Sequence, residues 1–149
     1  MTPSPNSEPP STGPPDRQTL RLIETLLTDE PIVDTTEYEP NSYEPRILHA
    51  LCEQSRYPAA VETARLDIRW FASDDFSLHY LETMATDHWE CRWDRHPNPH
   101  NARLHFHQPP NGDDTVDLTW SSLHPIDVLS TVIAAIEQRL DRHWSPKEF

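Results

Sequence analysis

Hydrophobic and polar side chains alternate in four successive stretches between Ala64 and His107, and this period of two constrains the fold more than any other feature of the sequence. Because neighbouring side chains of a β-strand point to opposite faces of a sheet, each stretch predicts a strand with one buried face. The alternating apolar residues are Ala64, Leu66, Ile68, Trp70, Phe76, Leu78, Tyr80, Trp89, Cys91, Trp93, Leu104 and Phe106. The turn-forming segments SDD, ATD and HPNPHN separate the stretches, and connections this short predict antiparallel hairpins.

Apolar residues with the period of an α-helix flank the predicted strands on both sides. The two apolar stripes are Leu20, Ile23, Leu26, Leu27 and Ile126, Leu129, Val132, Ile133, Ile136, Leu140. The short segment from Arg46 to Glu53 predicts a further helix, and Thr115–Trp120, after the turn-rich QPPNGDD, predicts a weaker fifth strand. The sequence therefore predicts an α+β fold with N-terminal helices, a four- to five-stranded antiparallel meander and a C-terminal helix packed on the sheet.

The N-terminal third differs in composition from the rest of the chain. Residues 1–15 are rich in proline, serine and threonine and predict a disordered tail, because they have no apolar residue after Met1 to bury. Residues 16–45 predict an acidic helical extension and linker, since three prolines interrupt residues 29–45. The remaining residues, 46–149, are predicted to form the α+β domain.

The whole chain is acidic, with a formal net charge of −13, and Lys147 is its only lysine. An acidic surface with almost no lysine is typical of proteins that stay soluble in concentrated salt, so we predict a halophilic source, a haloarchaeon. The sequence lacks a secretory signal pattern and an apolar run long enough to span a membrane, which predicts a cytoplasmic protein. Cys52 and Cys91 lack metal-binding spacing, no glycine-rich phosphate loop is present, and no cofactor is predicted.

The segment from Arg92 to His107 reverses this charge locally. It contains three arginines and four histidines against a single acidic residue, Asp94. A basic site in an acidic chain indicates an anionic ligand, and phosphate above all, because arginine binds phosphate oxygens with two parallel hydrogen bonds.

Three interpretations of this segment are open. Cleavage of RNA by attack of its 2′-hydroxyl needs a base, an acid and a positive group, which histidine and arginine provide. His105 and His107 point to one face of a predicted strand, and with Asp94 and His96 or His100 they could instead ligate a metal ion, although the arginines disfavour a divalent cation. The third interpretation is a solvated sheet face without chemistry. An alternative function for the chain is that of a non-enzymatic interaction domain, whose His/Arg face binds a protein partner.

Several short motifs resemble those of the TumE-like proteins, the toxin components of toxin–antitoxin pairs that include many haloarchaeal members. The similar motifs are Trp89-Glu90-Cys91-Arg92-Trp93-Asp94, Pro99-His100, His105-Phe106-His107, and Pro125 with the helix Val128–Leu140. The resemblance extends from Val61 to Trp144, and the order of elements also resembles RelE-type toxins in outline. It implies growth inhibition through RNA cleavage on or near the ribosome, and neutralisation by a cognate antitoxin. No membrane partner is predicted. Such toxins are often basic, and salt adaptation accounts for the acidic character of this chain.

The resemblance and the local chemistry together assign roles to eight residues. The predicted catalytic residues are His105, His107, Arg92 and His100. The predicted phosphate- or RNA-binding residues are Arg95, Arg103, His96 and Asp94. The predicted partners are RNA and an antitoxin protein.

Overall fold

A computed structural model describes residues 13–97 and 103–145 of the chain, which form one seven-stranded antiparallel sheet and two α-helices. The helices are α1 (Arg17–Leu27) and α2 (Pro125–Trp144). The strands are β1 (Val33–Glu39), β2 (Ile47–Cys52), β3 (Thr63–Trp70), β4 (Phe76–Thr83), β5 (His88–Arg95), β6 (Leu104–His107) and β7 (Thr115–Asp117). The strands lie in chain order across the sheet, so the predicted α+β class and antiparallel meander are confirmed.

The predicted number of strands was too low, because β1 and β2 were missed. The segment predicted as a helix from Arg46 to Glu53 contains β2, in which Leu48, Ala50 and Cys52 are buried at a spacing of two. A six-residue apolar segment fits a helix or a strand equally well, and pairing with β3 decides for the strand. The mostly polar β1 occupies part of the predicted linker. Because most of its residues are exposed, its sequence does not alternate between apolar and polar residues.

Both helices pack into one core on the apolar face of the sheet. Helix α1 begins at Asp16, whose side chain accepts a hydrogen bond from the backbone N–H of Thr19, and it buries Leu20, Ile23 and Leu27. Helix α2 begins after His124, which acts as its N-cap, and it continues through the predicted apolar stripe. The predicted N-terminal and C-terminal helices are therefore confirmed as one helix at each end of the described chain.

The first described residues pair with the sheet rather than with α1. The backbone N–H of Asp16 donates to the carbonyl of Trp70 at 2.8 Å, and Pro15 pairs with Phe71 just beyond the end of β3. Within the described ranges, neither helix is both long and apolar enough to cross a membrane.

Candidate functional site

The pairing of β5 with β6 brings the predicted site residues together. Arg92 lies opposite His107, and Asp94 lies opposite His105. Because side chains alternate along each strand, these four residues share one face of the sheet, while Trp93 and Phe106 between them point to the core. This is the arrangement that the alternation of the sequence predicts.

Arg92 and His107 contact the same buried carboxylate, and we call these three residues the Asp94 cluster. Arg92 Nε donates to Asp94 Oδ2 at 2.7 Å, and His107 Nε2 lies 3.1 Å from the same oxygen. Arg92 Nη2 is also 3.1 Å from His107 Nε2. The Asp94 side chain is fully buried, whereas those of His107 and Arg92 are 18% and 35% exposed. The cluster therefore holds two partly exposed basic side chains against one buried negative charge.

The basic neighbours keep Asp94 ionised despite its burial. Burial alone would raise the pKa of Asp94, but the hydrogen bond with His107, the charge of Arg92 and a hydrogen bond with Ser77 together lower it below 3.8. A buried carboxylate is stable in this form only while it is paired, so the orientations of Arg92 and His107 are fixed by the fold.

The loop between β6 and β7 holds the other side of the His107 ring. His107 Nδ1 lies 3.2 Å from the carbonyl oxygen of Gly112, and Gly112 N donates to the carbonyl of Gln108 at 2.8 Å. Gly112 has a φ of +76°, in the left-handed region that favours glycine. The sequence pattern marked QPPNGDD only as a break between strands, although its single glycine was a signal for a tight turn.

His105 lies deeper than His107, in a row of three imidazole rings. Its ring centroid is 5.0 Å from that of His107 and 4.8 Å from that of His96, and both pairs meet edge to face. The side chain of His105 is buried, with an exposed fraction of 2% for the residue. His107 is therefore the histidine of the β6 pair that a ligand on this face would meet first.

Arg95 and Arg103 bind a different buried carboxylate, that of Asp75. Arg95 Nη1 donates to Asp75 Oδ1 at 3.0 Å, while Arg103 donates to both carboxylate oxygens, at 2.9 and 2.8 Å. Hydrogen bonding to Asp75 raises the pKa of Arg103. No hydrogen bond or ion pair between described residues joins either arginine to the Asp94 cluster. Asp75 was not among the predicted site residues, because the segment SDD indicated only a turn.

The remaining predicted residues lie beside or beyond the described part of the site. His96 follows β5 directly, and its backbone N–H donates to the carbonyl of Arg103 at 3.0 Å. The predicted catalytic residue His100 falls within residues 98–102, outside the described residues.

Other histidines on this face of the sheet are paired with acids. His49 Nδ1 is 2.6 Å from Asp67 Oδ1, and its Nε2 is 2.7 Å from Glu39 Oε2. His79 Nε2 lies 3.4 Å from Glu90 Oε1. These carboxylates offset the positive charge of His49 and His79, as Asp94 does for Arg92 and His107.

The donor atoms of Asp94, His105 and His107 lie within 4.8 Å of one another, a separation that could hold a divalent transition metal ion such as zinc. However, the Arg92 guanidinium contacts both Asp94 Oδ2 and His107 Nε2 and places a fixed positive charge where the metal would lie. The arrangement therefore suits an anion that approaches Arg92 and His107 better than it suits a divalent cation.

Comparison with known proteins supports the relationship that the motifs indicated. A family model described as "Toxin TumE" matches residues 22–140, which include all seven strands and the Asp94 cluster. No curated protein and no solved structure gives a significant match. The family model covers most of the sequence, and the chain therefore belongs to the TumE toxin family.

Proposed function

We propose that this chain is a toxin that stops growth by cleaving RNA at the Asp94 cluster, and that a cognate antitoxin neutralises it. The observation that carries the proposal is the shared contact of Arg92 and His107 with one buried carboxylate, in a member of a toxin family. This arrangement provides a positive group and a titratable group side by side, which is what phosphoryl transfer requires.

The proposed reaction is an intramolecular transesterification of RNA. The 2′-hydroxyl loses its proton to a base, its oxygen forms a bond to phosphorus, and the bond from phosphorus to the 5′-oxygen breaks as an acid protonates that oxygen. Imidazole titrates near neutral pH and suits both proton transfers. The guanidinium of Arg92 stabilises the extra negative charge on the phosphoryl oxygens in the transition state.

We assign the proton transfer nearest the substrate to His107, because it is more exposed than His105 and is held on both sides by Asp94 and Gly112. Asp94 positions the imidazole, in the way that carboxylates orient catalytic histidines in general. The second proton transfer belongs either to His105, whose ring contacts that of His107, or to His100.

Arg103, Arg95 and His96 are proposed to contact the RNA backbone beside the reacting phosphate. The side chain of Arg103 is 47% exposed while it is bound to Asp75, so one edge of its guanidinium remains open to a phosphate oxygen. Arg95 is more enclosed and is the weaker candidate of the two arginines.

Substitution of the cluster tests the proposal directly. Expression of the wild-type chain should arrest growth, and the purified protein in concentrated salt should cleave RNA. His107→Ala and Arg92→Ala should each lower the cleavage rate by about 100-fold or more and relieve the arrest, because each removes a group that acts in the transition state.

Two variants on the same sheet face serve as matched controls. Arg65 donates to Asp67 two residues further along its strand, as Arg92 does to Asp94, and His88 pairs with Glu90. Arg65→Ala and His88→Ala should leave cleavage unchanged. Full activity of His107→Ala would refute the assignment.

The other outcomes separate the remaining interpretations. Cleavage that a chelator abolishes and zinc restores would favour the metal interpretation of Asp94, His105 and His107. RNA that stays intact while the chain still binds an antitoxin would show a non-enzymatic interaction domain.

A further inference from the structure

A cavity of about 260 Å³ lies behind the Asp94 cluster, between the apolar face of the sheet and helix α2. Trp93 and Phe106 form part of its wall, and they alternate along β5 and β6 with the residues of the functional face. Trp89 and the helical residues Ala135 and Arg139 line other sides. The cavity and the Asp94 cluster thus occupy opposite faces of the same strand pair.

A buried ionic network fixes the helical wall of this cavity. Glu82 is fully buried, and it accepts hydrogen bonds from both Nε and Nη2 of Arg139, with His143 Nε2 at 2.9 Å and the Tyr80 hydroxyl at 2.7 Å. The Arg139 guanidinium also stacks over the Trp89 ring at 3.9 Å. Since these contacts tie α2 to β4 and β5, the cavity is preformed and does not need a ligand to open it.

The apolar lining of the cavity continues to the edge of the sheet. Phe106 is half-buried, and Val116, which lies opposite it on the edge strand β7, is 43% exposed. Trp89 is also half-buried. A concave apolar surface that contains aromatic residues and reaches an exposed edge is typical of a protein interface.

The rim of the cavity carries the positive charge of Arg142. Arg139 is paired with Glu82, but no carboxylate of the described residues forms a salt bridge with the exposed Arg142. In a chain with a net charge of −13, such an arginine beside an apolar cavity fits a partner that carries a carboxylate next to an apolar side chain.

We propose that the antitoxin docks here, placing an aliphatic side chain in the cavity and a carboxylate on Arg142. Membership of a toxin family implies such a partner, so the proposal does not depend on RNA cleavage. A protein fits the cavity better than RNA does, because the aromatic ring faces on which a base would stack are already covered by other side chains. Arg139 covers Trp89, and Trp93 and Phe106 pack together with ring centroids 5.1 Å apart. A partner docked in the cavity would contact Trp93 and Phe106, which are direct chain neighbours of the cluster residues.

The test measures binding of the full chain to the protein encoded by the adjacent gene, by titration calorimetry in concentrated salt. Arg142→Glu should raise the dissociation constant about tenfold or more, because it replaces attraction by repulsion at the rim. Ala135→Trp should weaken binding similarly by filling the cavity. Both variants should still arrest growth when expressed alone, and the adjacent protein should rescue that growth less well than it rescues the wild type.

Arg17→Glu is the matched control, since it makes the same change of charge on the exposed start of α1, and it should bind as the wild type does. Unchanged affinity of Arg142→Glu would overturn the proposal, as would a wild-type chain that does not bind the adjacent protein. Loss of RNA cleavage with unchanged antitoxin binding would assign the cavity to RNA instead. Because binding is read independently of cleavage, a chain that leaves RNA intact would refute the proposed reaction without affecting this result.

Discussion

Among single residues, Asp94 has the largest influence on the candidate site, because one buried oxygen atom orients both Arg92 and His107. Asp75 does the same for Arg95 and Arg103 at the other end of β5 and β6. A buried carboxylate needs its partners more than an exposed one does, since an unpaired charge in the interior is costly. Each of these acids therefore positions two basic side chains.

His49 gives a prediction about pH at this same scale. Burial would lower the pKa of His49, but hydrogen bonds to Asp67 and Glu39 outweigh it and raise the pKa above 6.5. The protonated ring therefore stabilises the fold fully below pH 6.5, and this contribution is lost as the pH rises through the folded-state pKa. Urea unfolding from pH 5.5 to 9 should show a loss of about 1 kcal/mol or less, the scale of a partly exposed ion pair.

His49→Gln should remove this part of the pH dependence, whereas His88→Gln, at a mostly exposed position on β5, should retain it. An equal loss of stability over that pH range in the wild type and in His49→Gln would contradict the assignment to His49.

Among the elements, the strands differ in how far the sequence predicted them. Strands β3 to β6 were predicted because each has one apolar and one polar face, which produces a clear alternation. Strands β1 and β2 were missed for opposite reasons: β1 is mostly polar, and β2 carries half-buried Ile47 and Leu51 on its second face. Local sequence does not distinguish such a strand from a helix, since the pairing partner lies elsewhere in the chain.

Charged residues also differ in how far the sequence predicted where they lie. Arg92, Asp94 and His107 could be predicted, because alternation fixes the face on which each side chain lies. Glu82 was missed, although it continues the buried phase of β4, and Arg139 and His143 are four residues apart on α2. The sequence signal for this network was an acid at a buried strand position, together with two basic residues on one helical face. Only the packing of the helix on the sheet brings these residues together.

The strand assignment of β2 predicts a contrast between two leucines. Leu48 is fully buried, while Leu51 lies on the other face and is half-buried. Leu48→Ala should lower the free energy of unfolding by about 2–5 kcal/mol, because it leaves a cavity in the core. Leu51→Ala makes the same chemical change and should cost clearly less. Equal losses in chemical denaturation would contradict the described burial pattern.

At the level of the whole molecule, the net charge of −13 opposes the approach of RNA to a locally basic site. Most RNA-binding proteins lose affinity as salt rises, because binding releases counterions from the phosphates. Here added salt also screens the repulsion between the acidic surface and the RNA, over a Debye length of roughly 10 Å at 0.1 M and 3 Å at 1 M.

We therefore expect the rate of RNA cleavage to rise, rather than to fall, as potassium chloride increases from about 0.1 to 1 M. Circular dichroism at each salt concentration would show whether the chain remains folded, so that screening is separated from stabilisation. A rate that falls steadily while the chain stays folded would contradict this expectation, and it would also count against the prediction that the chain is adapted to salt.

The alternation of β5 and β6 also restricts which insertions and deletions this family can tolerate. A shift of one residue in either strand would turn Trp93 or Phe106 outward and carry Asp94 or His107 into the apolar core. Length changes should therefore accumulate in the segment that joins the two strands, while the spacing Arg92-x-Asp94 and His105-x-His107 stays constant. Sequencing of relatives selected for toxicity would reveal this as a pair of fixed two-residue intervals on either side of a connection of variable length.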